Sequence, residues 1–141
     1  MTVLLRLSLA LLSLFMVSGC SALPFFTQGT GESVELGADD RFPDVIGVQL
    51  VSRGDRVYDV VVSISSPYDS PERYADGWRV LDQEGNVLGT HTLMHDHASE
   101  QPFTRTQPGL EIPEGVTRIT VEGRDLANGY GGGTLWIDIP E

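Results

Sequence analysis

The chain has 141 residues, a formal net charge of −11 and a single cysteine. This length suits one domain with a hydrophobic core of its own. The chain contains no lysine, and its nine arginines are outnumbered by twenty Asp and Glu residues. This charge argues against a nucleic-acid partner, and one cysteine excludes a disulfide framework within the chain.

The amino-terminal segment is typical of a secretory signal peptide. Arg6 supplies a positive charge, and an apolar run from Leu7 to Val17 follows it. The run ends in Val17–Cys20, which resembles the lipobox of bacterial lipoproteins. That resemblance implies cleavage before Cys20, diacylation of its sulfur and acylation of the new amino terminus. The alternative is an uncleaved membrane helix, for which the run lies at the short limit of about 20 residues.

The sequence therefore predicts three parts. Residues 1–19 form the signal peptide, residues 20–43 the lipidated cysteine and a flexible tether, and residues 44–141 the folded domain. Several acyl chains anchor a protein stably. Ser21 is not the Asp that the lipoprotein resemblance associates with inner-membrane retention. We therefore expect a cell-envelope protein, anchored in the outer membrane and facing the periplasm in cells that have one.

From Asp44 onward, short apolar runs alternate with turn residues. Between Arg56 and Ser65, every second side chain is Tyr58, Val60, Val62 or Ile64, the period of a half-buried strand. Asp82–Asn86 predicts a hairpin turn and Asn128–Gly133 a glycine-rich turn. The remaining predicted strands are Val45–Val51, Ala75–Asp82, Val87–Met94, Phe103–Thr106, Thr117–Gly123 and Thr134–Ile139. A turn is predicted at Ser52–Asp55, between the strands Val45–Val51 and Arg56–Ser65.

About seven strands over roughly 100 residues predict an all-β fold, an immunoglobulin-like antiparallel β-sandwich. Pro113–Val121 resembles the turn and penultimate strand of fibronectin type III domains, although Arg118 stands near the place of the expected tyrosine. Trp78 resembles the buried tryptophan of such sandwiches. Ala75–Val80 with Glu100–Arg105 is also similar to a group of small uncharacterised bacterial proteins, a resemblance that implies no activity.

All three histidines lie within seven residues: His91, His95 and His97. Imidazoles two residues apart on a strand share a face, so His95 and His97 could bind one ion. With the thioether of Met94 nearby, this cluster predicts a copper or zinc site, with His91 as a third ligand if the chain folds back. The alternative is a solvated polar loop, because a structural zinc site usually has four protein ligands.

No motif predicts an enzyme. The glycine-rich segment lacks the Lys and helix of a phosphate loop, and no nucleophile elbow is present. Arg53–Asp55 spells an adhesion tripeptide, but ordinary turn chemistry explains it. We therefore expect a non-catalytic accessory or interaction module at the membrane, binding an envelope protein through Phe103, Arg105 and the loops around His95 and Tyr130. Copper or zinc binding is the alternative function, and no other cofactor is expected.

Overall fold

A computed structural model describes residues 41–140 of the protein. The predicted signal peptide, Cys20 and the tether up to residue 40 lie outside the described residues, as does residue 141. The described chain contains eight strands and no helix. The strands are β1 (Asp44–Gly54), β2 (Val57–Ser65), β3 (Ala75–Leu81), β4 (Val87–Thr92), β5 (Phe103–Glu111), β6 (Arg118–Asp125), β7 (Gly129–Tyr130) and β8 (Leu135–Asp138).

The strands form two antiparallel sheets, which confirms the predicted all-β sandwich. One sheet has the order β1-β2-β5, and the other has the order β4-β3-β6-β7, with β8 also pairing with β6. Strand β4 pairs with β3 rather than β5. The arrangement therefore differs at this strand from the seven-stranded constant-type immunoglobulin pattern, in which the fourth strand joins the first sheet.

The core lies between the inner faces of the two sheets. The predicted alternation in β2 is confirmed, since Val60, Val62 and Ile64 are all fully buried. Trp78 on β3 is fully buried as well, and its indole Nε1 donates a hydrogen bond of 2.9 Å to Gln107 on β5. This bond gives the indole N–H the partner that a buried tryptophan needs, and it joins the two sheets across the core.

The turn between β1 and β2 lies later in the chain than predicted. Strand β1 continues to Gly54, and the turn is centred on Asp55 and Arg56, whose φ angles are 50° and 60°. Two successive residues with positive φ match the twist of a two-stranded hairpin. The predicted turn at Ser52–Asp55 was therefore wrong in position, and Arg53 is a strand residue that pairs with Asp59 on β2.

Strand β5 is longer than the predicted Phe103–Thr106. It passes through Pro108 and Gly109 to Glu111, with a register shift opposite Asp59. A proline is tolerated there because β5 is an edge strand in which one side needs no ladder hydrogen bond. The Asp59 carboxylate accepts a hydrogen bond of 3.1 Å from the Gly109 amide and thereby satisfies the bulged backbone.

The predicted glycine-rich turn is a packing site. Within this segment Gly129 and Tyr130 form β7, and the glycines that follow pack against Phe42 and Pro43. A Cβ atom on Gly132 would lie 2.2 Å from the Pro43 carbonyl oxygen, and one on Gly131 would lie 2.7 Å from the Phe42 ring. Glycine is needed here for close approach, so Phe42 and Pro43 pack on the domain although they belong to the predicted tether segment.

Three loops meet at one end of the sandwich. The strand register places Ile64 beside Phe103, Ala75 beside Asp125, and Gly77 beside Thr92. Residues 66–74, 93–102 and 126–128 are therefore neighbours, and we call them together the loop end. Strand β1 also begins at this end, because Asp44 pairs with Ser65.

Val62 and Val61 offer a matched test of the sandwich, because these neighbours in β2 point to opposite faces. Val62→Ala removes two fully buried methyl groups and is expected to lower the free energy of unfolding by about 2–3 kcal/mol. Val61→Ala, on the outer and partly exposed face, is expected to lower it by about 0.5–1 kcal/mol. Urea denaturation of both variants measures the difference, and equal losses would contradict the assignment of faces.

Candidate functional site

Asp69 holds two of the loops at the loop end together. Its side chain is buried, with 8% of the residue exposed. Oδ1 accepts a hydrogen bond of 3.0 Å from the Ala75 amide, and Oδ2 accepts one of 3.0 Å from the His97 amide. Gln101 adds a second link, since its side-chain oxygen accepts from the Ser66 amide at 2.8 Å and its nitrogen donates to the His97 carbonyl at 3.3 Å. These bonds fix the backbone of His97.

Asp125 organises the third loop from the end of β6. It is fully buried. Oδ1 accepts hydrogen bonds from the amides of Ala127 at 3.0 Å and Asn128 at 2.8 Å, and Oδ2 lies 3.1 Å from Nε of Arg73. Burial by itself raises the pKa of Asp125, but the hydrogen bonds from Asn128 and Ala127 outweigh it and hold the pKa below its ordinary value.

Asp76, at the start of β3, is buried at the same end of the sandwich but has fewer hydrogen-bond partners than Asp125. Its Oδ1 atom has no hydrogen-bond partner among the described residues, and Oδ2 lies 3.5 Å from a guanidinium nitrogen of Arg124. Burial raises the pKa of Asp76, and Arg124 offsets only part of this effect. The ionised form of Asp76 is therefore less favourable in the fold than in water, in contrast to Asp125.

The structure brings together two of the three predicted histidine ligands. The rings of His95 and His97 lie 4.8 Å apart, and His97 also stacks on Phe103 at 4.0 Å. His97 is 2% exposed, and its Nδ1 atom has no partner among the described residues. Burial, followed by the positive charge of Arg105, lowers the pKa of His97, which favours a neutral imidazole.

His91 takes a separate role on β4. Its ring stacks on Trp78 at 4.3 Å, and burial lowers its pKa. Within residues 41–140, no group of three or more His, Cys, Asp or Glu side chains could hold a metal ion. The three-histidine ligand set expected from the sequence is therefore not assembled in this structure, because His91 packs against the tryptophan of the neighbouring strand.

The predicted binding-surface residues have different environments. Phe103 is only 2% exposed and belongs to the core. It therefore cannot form part of the contact surface that the sequence predicted. Its neighbour Arg105 is partly exposed, lies over the Phe103 ring at 5.6 Å, and pairs with Glu100 at 2.8 Å. This ion pair lowers the pKa of Glu100. Arg105 and Glu100 therefore present an ordered pair of charges at the loop end.

Tyr130 lies on the outward face of the second sheet. It pairs with Arg124 across β6 and β7, and the guanidinium of Arg79 lies 4.2 Å from its ring centre. Trp136 on β8 is covered in the same way by Arg118 at 3.8 Å. Both aromatic rings are held in cation–π contacts, which stabilise this face of the sheet.

Sequence reasoning missed the buried carboxylates Asp69, Asp76 and Asp125. Aspartate is ordinarily solvated at turns and on the outward face of strands, and nothing in the sequence next to these three residues marks them as buried. Their burial at one end of the sandwich becomes visible only in the three-dimensional structure.

One curated relative resembles the chain. It is a protein of Halomicrobium mukohataei described as a "Putative lipoprotein", 39% identical over 100 residues, which is 71% of this chain and 49% of that protein. The chain thus spans about half the length of the curated relative it matches. The resemblance supports a lipoprotein-like chain.

The other comparisons found no match. No family model matches the chain, and no solved structure is significantly similar to it. The described residues contain no helix long and apolar enough to cross a membrane.

Asp125 and Asp76 are a matched pair for testing the electrostatics of the loop end. Asp125→Asn is expected to cost about 2 kcal/mol of stability at pH 7, because it removes a charge from several hydrogen bonds. A carboxyl with a lowered pKa stabilises the fold above its unfolded-state value. The cost should therefore shrink as the pH falls below the ordinary value of 3.8.

Asp76→Asn is expected to change the stability at pH 7 by less than about 0.5 kcal/mol, or to increase it. The variant removes a carboxylate whose ionised form the fold disfavours. Thermal unfolding of both variants from pH 3 to pH 7 tests the contrast. A larger loss for Asp76→Asn than for Asp125→Asn at pH 7 would contradict it.

Proposed function

We propose that this chain is a lipid-anchored module of the cell envelope that binds a partner, without catalysis, through its loop end. The observation that carries the proposal is the network of buried carboxylates, which fixes the three loops of the loop end, one of which carries Glu100, paired with Arg105 on β5. A surface whose loops are already ordered loses less conformational entropy on binding.

Two observations support the lipid anchor. The relative from Halomicrobium mukohataei carries the description "Putative lipoprotein", and Cys20 follows a signal-like segment in this sequence. The described chain enters the sandwich at the loop end, where Asp44 pairs with Ser65. A tether attached there would place the loop end on the side of the domain nearest the membrane. Ser21 favours the outer membrane, facing the periplasm, in cells that have one.

The chemistry of the loop end favours binding over catalysis. Asp69 and Asp125 accept hydrogen bonds from backbone amides, and the His97 ring stacks on Phe103 and lies beside the tilted ring of His95. The two carboxylates hold the loops in place, and both oxygens of each are already engaged by amide or guanidinium donors. The partner we expect is an envelope protein that meets the charged pair and the loop around His95.

Cys20→Ser tests the anchor. The wild-type chain should enter the detergent-rich phase after Triton X-114 separation, and intact mass should show acyl chains on a protein that begins at Cys20. The variant should lack the acyl mass because the sulfur is the site of attachment. Recovery of a full-length, unmodified wild-type chain in the membrane would instead support the uncleaved helix.

A photo-reactive residue at Ala98 tests the binding surface. Ala98 is exposed in the loop end, and Glu84 is equally exposed in the hairpin turn at the other end of the sandwich. Cross-linking in cells should give a discrete adduct from position 98 and none from position 84. Adding Arg105→Ala should reduce the adduct at least fivefold. An adduct from position 84 alone, or none from either position, would contradict the proposal.

A further inference from the structure

We propose that Met94, His95 and His97 form a site for Cu(I) at the loop end. This inference is independent of the partner proposed above and replaces the three-histidine set expected from the sequence. The three donors lie within four consecutive residues, directly after β4. Two imidazoles and one thioether are the soft and intermediate donors that suit Cu(I).

The two imidazoles are already close to each other. Their ring centres are 4.8 Å apart with an angle of 36° between the planes. Nδ1 of His95 lies 2.8 Å from the Asp96 carbonyl oxygen. A carbonyl can only accept, so Nδ1 of His95 carries the proton and Nε2 is left as the basic nitrogen. A ligand nitrogen whose ring partner is fixed in this way has a defined orientation.

His97 supplies an unsatisfied polar atom. It is 2% exposed, and its Nδ1 has no partner among the described residues. Such a buried atom is uncommon in a folded protein and calls for a specific explanation. Asp69 fixes the backbone of this residue and Phe103 packs on its ring. His97 is therefore held rigidly beside His95, as a metal ligand must be.

Met94 supplies the sulfur. It is 82% exposed, the largest exposure among the large hydrophobic side chains of the described residues. A flexible methionine contributes little to the core when it projects into solvent, whereas its thioether is available to a soft metal ion. Met94 immediately precedes His95 in the chain, and the proposal is that its free side chain supplies the sulfur ligand.

The neighbouring hard ligands are already in use, which favours Cu(I) over Zn(II). Glu100 pairs with Arg105 at 2.8 Å, and Asp96 accepts a hydrogen bond from the Ala98 amide at 3.2 Å. Both oxygens of Asp69 accept backbone amides. Zn(II) sites usually have four ligands, or three and a water, and no set of three His, Cys, Asp or Glu is available within residues 41–140.

The test is an anaerobic Cu(I) titration of the full chain in detergent, competed against the chromogenic chelator bicinchoninate. All samples carry Cys20→Ser, so that no unacylated Cys20 thiol can bind Cu(I). One Cu(I) per chain is expected. Met94→Leu, which keeps the size but removes the sulfur, and His95→Gln should each weaken binding at least tenfold. The control His91→Gln should leave the affinity unchanged, since His91 stacks on Trp78.

Competition between metal ions tests whether the site prefers a soft ion. Zn(II) should fail to displace Cu(I) at equal concentration, and Ag(I), a closed-shell ion of similar softness, should displace it. Absence of stoichiometric Cu(I) binding would overturn the proposal. So would unchanged affinity in Met94→Leu and His95→Gln, or an equal loss in His91→Gln. None of these results depends on whether Ala98 cross-links to a protein partner, so the two proposals fail separately.

Discussion

The structure of the loop end depends on one buried carboxylate, that of Asp69. Its two oxygens accept the amides of Ala75 and His97, which belong to the start of β3 and to the loop before β5. A carboxylate that accepts backbone amides is worth more than a neutral partner because the bonds are charge-assisted. This contact fixes the backbone of His97, whose ring stacks on Phe103 and lies 4.8 Å from the ring of His95.

Asp125 and Asp76 show how the same side chain can stabilise or burden a fold. Asp125 has amide and guanidinium donors for both oxygens, so ionisation is favoured despite complete burial. Asp76 has one oxygen without a partner among the described residues, and its other oxygen has only an ion pair of 3.5 Å with Arg124. The loop end thus combines one carboxylate that orders a loop with another that is less well satisfied. Such imbalances are common where a surface serves function as well as stability.

The sequence predicted the fold better than the site. The period of two in β2 identifies the inner face because every second side chain must leave water, and Asp82 and Gly85 mark their hairpin. The predicted strand at Phe103–Thr106 was too short. A proline such as Pro108 is tolerated only on an edge strand, and the sequence alone does not show which strand lies at the edge of a sheet. The packing role of the glycines near β7 could not be predicted, because it depends on Pro43, which lies far away in the sequence.

The site was harder to predict because it depends on contacts between distant residues. Nothing local to Asp69 shows that its carboxylate reaches the amide of His97, 28 residues away. Likewise, His91 could be separated from the other histidines only once β3 had placed Trp78 beneath its ring. The rings of His95 and His97 are close, as their spacing predicted, but the two residues follow β4 and do not lie on a strand as the prediction assumed.

Amide hydrogen exchange tests the central claim, a loop end held rigid by buried carboxylates, most directly. The amides of His97, Ala75 and Asn128 should exchange as slowly as those of the core strands. Asp69→Ala should accelerate the first two at least a hundredfold and leave Asn128, which is bound to Asp125, unchanged. Fast exchange of all three amides in the wild-type protein would contradict the account.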